Sequence, residues 1–432
     1  MYASGAKKGL GQLNNQSKTF CMHPFTGLAT REDGAIKACC RSHPVGFIDK
    51  EKLEDIWNND TMKRIRRQVL NNERPSECEP CFSLEDQGVE SLRQRHVEQR
   101  IPESRVTLYP QAMDKLREDY SMPFEIPTME LKLNNLCNLK CRMCHPGDST
   151  SWNDWGEIKE FYKKENNIIF DLVQEHNLER KPFLDKFQDN PEWWESLEKL
   201  LPYFRRVEFA GGEPLMDPQH YKILDMLTPY GYQIEIKYAT NLSMLGKGDR
   251  NIHEYWPKFR SIAVNVSIDG YKDSYEYVRG NASWDTMIKN IKEVQQIPNI
   301  SRIVGAMTVQ VSNIMDMDKL IEYFLDDLGI IFHTHRVSYP NLLSIQTLPI
   351  ELKHEVTNRL KNVSERLKDF KFVKKHPELL KYTQNQIEYN INYIWAKDLS
   401  HLWMDTVEFN KRLDKSRNQS FTDVTPEFKP YV

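Results

Sequence analysis

Cys137, Cys141 and Cys144 stand as C-x3-C-x2-C, three soft thiolate donors in one short stretch of chain. Thiolates of this kind select zinc or iron–sulfur centres. Structural zinc closes four ligands, commonly from paired C-x2-C units, whereas a compact triplet without a fourth local cysteine leaves one coordination position open. An open position is what substrate chemistry at a metal cluster requires. His145 follows Cys144 directly, and that adjacency makes a tetrahedral site from the two awkward.

A second set lies upstream. Cys21, Gly34 and Cys39 read C-x12-G-x4-C, and Cys78-Glu79-Pro80-Cys81 adds C-x2-C after a helical stretch around Leu53 to Val69. Two pairs of thiolates with a glycine turn in the first can close a four-cysteine site, and the spacing fits zinc as well as iron–sulfur. Cys40 is left over and reads as a buried thiol that could exchange roles with Cys39. All eight cysteines fall at or before Cys144, in a 432-residue chain whose start, Met1 to Gln16, has no apolar signal region. A large chain of this type is expected where thiols stay reduced, so the clustered cysteines point to metal rather than to disulfides, and the expected location is cytoplasmic.

Elements must hold these thiols. Met129 to Leu133 alternates apolar and polar residues, the period of a strand, and runs straight into the cysteine loop. Five more short apolar runs follow at Val207 to Phe209, Ile234 to Tyr238, Ile262 to Ile268, Ile303 to Val309 and Ile331 to Val337. Between them, Tyr221 to Leu227, Trp284 to Val294 and Met315 to Leu328 have helical spacing. Strands alternating with helices argue for right-handed parallel βαβ units that curl into a full or partial barrel, with chemistry at the C-terminal strand ends. The segment from Cys144 to Gly211 is too long for one crossover. With Trp152, Trp155, Trp193 and Trp194 it reads either as an inserted helical lid or partner surface or as cover for the outside of the barrel, and Asn190-Pro191 opens one of its helices.

The net charge of −3, with 39% apolar and 28% charged residues, suits a soluble globular protein and gives no reason to expect nucleic acid or a membrane as partner. No stretch is apolar for long enough to cross a bilayer. The expected division is 1–125 for the cysteine-rich module, 126–340 for the barrel with a helical insertion at about 150–200, and 341–432 for a polar, helical extension, with loops around Pro102 and Pro127 as boundaries.

The triplet after a first barrel strand resembles the radical S-adenosylmethionine (radical SAM) superfamily. Phe209-Ala210-Gly211-Gly212-Glu213-Pro214 is similar to that family's GGEP motif, Ala239-Thr240-Asn241 to its threonine-asparagine, and Ser267-Ile268-Asp269-Gly270 to its serine-x-aspartate-glycine. The resemblance covers Met129 to about Val337 and implies an α/β fold, a partial (β/α)6 TIM-like barrel with a small N-terminal cluster module and a helical C-terminal extension. It further implies that Cys137, Cys141 and Cys144 bind three irons of a 4Fe-4S cluster whose fourth iron is chelated by S-adenosylmethionine (SAM). Gly211, Gly212, Glu213 and Pro214 would then meet the cofactor's amino group, Ser267 and Asp269 its ribose or carboxylate, and Arg279 its carboxylate, with Asn241 also binding the cofactor. Met143 stands where the family often has an aromatic residue, so the adenine contact there falls to backbone or to another side chain, and the GxIxG-type element of some members is absent. The upstream pattern, with Ile56-Trp57-Asn58 before the C-x2-C, resembles the twitch or SPASM auxiliary-cluster module and tips Cys21, Cys39, Cys78 and Cys81 toward a second iron–sulfur cluster. That module usually follows the barrel; here it precedes it.

The implied activity is reductive cleavage of SAM to a deoxyadenosyl radical that abstracts hydrogen from a peptide or protein, with a flavodoxin- or ferredoxin-type electron donor. The same chemistry on a small molecule, by dehydrogenation or ring formation, shares every motif. A non-catalytic, zinc-stabilised binding protein is the third reading. No catalytic acid or base is evident; His333 and His335 share one face of the sixth strand, where a structural role at the core or rim is the expected one.

Overall fold

A computed structural model of the chain describes residues 18–86, 91–94, 116, 118–165, 167–179, 183–184, 186–337 and 339–432. The polar start Met1 to Gln16 and the boundary around Pro102 lie outside the described residues.

All six expected barrel strands form. They are β4 (Thr128–Lys132), β5 (Arg206–Ala210), β6 (Glu235–Thr240), β9 (Ser261–Ser267), β10 (Ile300–Val309) and β11 (Ile331–Arg336), with β7 (Gly246–Lys247) and β8 (Arg250–Asn251) making a small separate hairpin. The six pair in parallel in chain order, as right-handed βαβ winding requires. Three N-terminal strands, β1 (Gly27–Thr30), β2 (Ala35–Lys37) and β3 (Pro44–Phe47), extend the same sheet, because β1 pairs in parallel with β4. The cysteine-rich unit therefore joins the barrel wall and covers what would be an open edge at β4.

Alternation decides which side chains enter the barrel. Met129, Leu131, Val207, Phe209, Ile236 and Tyr238 are buried in the core against the helices. The opposite face carries charge in one row: Lys37 pairs with Ala29, Ala29 with Glu130, Glu130 with Glu208, and Glu208 with Lys237. Lys237 Nζ meets Glu208 Oε1 at 2.7 Å, and Arg206 meets Glu235 at 2.7 Å one layer below. Burial and the neighbouring Glu208 push the Glu130 carboxyl up to about 7. Such an interior is tolerable only where charges are paired or line a cavity.

The expected helices sit at Pro218–Leu227, Trp284–Val294 and Met317–Tyr323. Asn190 caps the helix Pro191–Leu200 by accepting from the Trp193 N–H at 3.1 Å, with Pro191 opening it. Trp152, Trp155 and Trp193 are buried in the core, as the reading of these tryptophans as cover for the barrel expects. The tail forms the long helices Ile350–Arg366, Leu379–Ala396 and Trp403–Arg417. Among the described residues no helix is long and apolar enough to cross a membrane.

Candidate active site at the strand C-termini

The loop after β4 is anchored through its main chain, which leaves its thiols facing inward. Trp152 Nε1 donates to the Cys141 carbonyl at 2.7 Å, Ser151 Oγ to the Cys137 carbonyl at 2.7 Å, and Arg417 Nη1 to the Lys140 carbonyl at 2.8 Å. The Lys140 and Arg142 N–H groups donate to the Gly280 and Val278 carbonyls at 3.0 and 2.8 Å. Cys137, Cys141 and Cys144 then line one cavity of about 430 Å³, together with Gly211, Gly212, Asn241, Ser267 and Arg279. Residues from four strand ends and one helix terminus meet there, as the barrel rule requires.

The two glycines are demanded by the cysteine loop itself. A Cβ on Gly212 would lie 2.2 Å from the Leu136 carbonyl oxygen, and Gly211 has φ +136°, a conformation that L side chains rarely adopt. Glu213 N–H donates to the same Leu136 carbonyl at 2.7 Å, so the two loops are locked together.

Not every residue expected to touch cofactor is free to do so. The buried Glu213 carboxylate accepts from Thr240 Oγ1 and the Asn241 N–H, both at 2.7 Å, and from the Leu215 N–H at 3.1 Å. It braces the second and third strand ends instead of projecting to an amino group. Asp269 is likewise occupied, by Arg279 Nη1 at 2.8 Å and the Thr308 N–H at 2.5 Å, and it aims the arginine. Pro214 is buried at the start of the helical turn Pro214–Met216. Met143 Sδ accepts from Gln310 Nε2 at 3.7 Å. His333 and His335 stack edge-to-face at 4.6 Å, and His333 Nδ1 is 2.7 Å from Tyr382 Oη; neither reaches the cavity lining.

Lys37, Cys40, Glu130, Lys132 and Asp148 complete the cavity wall on the side of the N-terminal strands. For Glu130 and Lys132 the signal was present in the sequence, as the charged residues on the alternate face of MELKL, the face that the barrel turns inward.

The donor set fits an iron–sulfur cluster. Three thiols share a cavity whose burial, together with the nearby Cys141, pushes Cys137 up to about 12. The hydrogen bond with Cys144 lowers Cys141 to about 7, so the set mixes one readily ionised thiol with one that a metal charge would have to stabilise as thiolate. Among the described residues no three Cys, His, Asp or Glu side chains form a group that could hold a single metal ion; the three thiols are spread around a cavity. Cys21, Cys39, Cys78 and Cys81 gather around a second cavity walled by Val69, Phe82 and Leu92, and burial followed by the Cys39 and Cys81 thiols pushes Cys78 up to about 12. Cys39 and not Cys40 belongs to this set, because Cys40 turns the other way, toward Glu130.

Residues 131–324 match the model of the Radical SAM superfamily, and residues 21–82 match that of an iron–sulfur cluster-binding domain, SPASM. No curated protein matches the chain. Among solved structures, Streptococcus suis SuiB bound to S-adenosylmethionine is similar at 16% identity and a TM-score of 0.35, covering 74% of this chain and 64% of its own. Native anSMEcpe with bound AdoMet and Cp18Cys peptide is similar at 16% identity and a TM-score of 0.33, covering 55% of this chain and 58% of its own. The chain thus spans about two thirds or less of the length of these two proteins. The two matched domains are those that hold a 4Fe-4S cluster with SAM and additional iron–sulfur centres. Residues 131–324, with the three-thiol cavity at the strand ends and the glycine loop packed against it, are thus a Radical SAM domain, and residues 21–82, with the four gathered cysteines, are a SPASM iron–sulfur cluster-binding domain that precedes it in the chain.

Proposed function

We infer that the chain reductively activates SAM and abstracts hydrogen from one side chain of a peptide or protein. The observation that carries this is the convergence of Cys137, Cys141, Cys144, Gly211, Gly212, Asn241, Ser267 and Arg279 on one cavity. When bound, the cluster and SAM supply a carbon-centred radical. The chain's own residues do the rest. The three thiolates hold the cluster, Arg279 offers a guanidinium aimed by Asp269 to a carboxylate, and the Gly211-Gly212 backbone permits close approach. Glu213 holds the Asn241 loop in place.

The substrate class follows from room. A cavity of about 430 Å³ lies toward the small end of ligand sites, roughly 300–1,000 Å³. A 4Fe-4S cluster and SAM would take up most of that volume, which favours a side chain presented at the mouth over a whole small molecule taken inside. Dehydrogenation or ring formation on a small molecule is the alternative. A flavodoxin- or ferredoxin-type donor supplies the electron, and the cytoplasm, where thiols stay reduced, is the proposed location. Anaerobic reconstitution followed by reduction with SAM tests the reading: about eight irons and deoxyadenosine formation are expected, whereas bound zinc without cleavage would leave a binding protein.

A further inference from the structure

Cys40 is a thiol that neither metal site uses, yet it lines the same cavity as Cys137, Cys141 and Cys144. It is the exposed one of the eight cysteines. Its side chain shares the cavity wall with the nearby Glu130 carboxyl, and Lys37 Nζ donates to its carbonyl at 2.9 Å, which holds the residue just beyond the end of β2. The cavity it faces is built for a ligand. Arg279, 9% exposed, lines it with a buried Nε that has no partner.

We propose that Cys40 is the hydrogen-atom donor of this active site, quenching a carbon radical formed in the cavity, the substrate's after hydrogen abstraction or, with no substrate present, the deoxyadenosyl radical itself; the inference rests on the radical reading above. An S–H bond is weaker than a C–H bond, so a carbon radical beside a thiol takes its hydrogen. In the step, a C–H bond forms on substrate and the Cys40 S–H bond breaks, leaving a thiyl radical. One electron and one proton restore the thiol. Glu130, on the same cavity wall, supplies the proton, and a low-potential one-electron donor of the flavodoxin or ferredoxin class supplies the electron. Cys39, the next residue, lines the N-terminal four-cysteine cavity, and a cluster held there would be a one-electron relay near Cys40.

The test needs no substrate. The reconstituted full chain is reduced with dithionite in deuterium oxide, with SAM and without added thiol. Thiol hydrogens exchange with solvent and carbon-bound hydrogens do not, so deoxyadenosine quenched by Cys40 gains one mass unit. In Cys40→Ser that shift is lost from whatever deoxyadenosine forms. Independently of turnover, iodoacetamide should label Cys40 while both clusters are intact, and S-adenosylhomocysteine should slow the labelling. Unlabelled deoxyadenosine from the wild-type protein overturns the proposal and leaves the radical reading standing. No deoxyadenosine, with both clusters assembled, removes both. Resistance of Cys40 to alkylation, or loss of the N-terminal cluster in Cys40→Ser, would make it a ligand and overturn the proposal.

Discussion

Arg142, between the second and third cysteines of the cluster loop, forms a buried ion pair with Asp414, 272 residues further along the chain. Its guanidinium also donates to Asn410 Oδ1 at 3.1 Å and lies 3.6 Å over the Tyr277 ring, while Tyr277 Oη donates to Asp414 at 2.9 Å. Arg417 on the same helix reaches the Lys140 carbonyl and Asp154, both at 2.8 Å. The C-terminal helix Trp403–Arg417 thus backs the cysteine loop from behind.

Asp414→Ala would strand a fully buried guanidinium. Breaking a buried pair from one side costs about 3–5 kcal/mol. Expected are a lowered thermal midpoint and loss of iron from the barrel site ahead of the N-terminal site, read by calorimetry and iron counting. An unchanged melt with full iron would show that the helix does not support the loop.

The two cysteine sets should lose metal separately. Cys141→Ala should remove about four of about eight irons and abolish SAM cleavage, and Cys78→Ala should remove the other set and spare cleavage at least in part. Equal loss of all iron in both variants would contradict two sites.

Gly212→Ala places a methyl 2.2 Å from the Leu136 carbonyl oxygen, a backbone atom that cannot swing aside. Either the cysteine loop or the glycine loop must move. SAM binding, followed by equilibrium dialysis, should fall at least tenfold, about 1.4 kcal/mol or more. Retained affinity would mean that the loops are not locked in the native protein.

His220 sets an acid limit. Burial lowers its pKa from 6.5 to about 3, with Nε2 at 2.8 Å from Tyr238 Oη. Because the folded pKa lies below the unfolded one, the folded state favours the neutral ring. Its contribution is complete above about pH 6.5 and falls away as the pH drops toward 3. Between pH 7 and pH 5 this residue alone costs about 2 kcal/mol. Urea denaturation of wild type and His220→Gln at both pH values checks it: the variant should lose less stability on acidification, and parallel loss would refute the assignment.

What was legible from the chain alone was local. The C-x3-C-x2-C triplet, the glycines after β5 and the Asn190-Pro191 helix start each depend on neighbours a few residues away, and strand alternation shows at period two in MELKL. Spacing also grouped Cys21, Cys39, Cys78 and Cys81, and the glycine at 34 pointed to Cys39 while leaving an exchange with Cys40 open. That choice depends on which way two adjacent side chains turn once β2 is registered against β1 and β4, and the structure sends Cys39 to its partners and Cys40 to Glu130. Glu213 and Asp269 were recognisable as carboxylates at strand ends, but whether their oxygens face a ligand or a neighbouring loop is set by contacts 27 and 39 residues away. The Arg142–Asp414 pair was invisible for the same reason. A buried ion pair leaves no periodicity in sequence, since its partners are joined only by packing, and packing is a property of the folded chain.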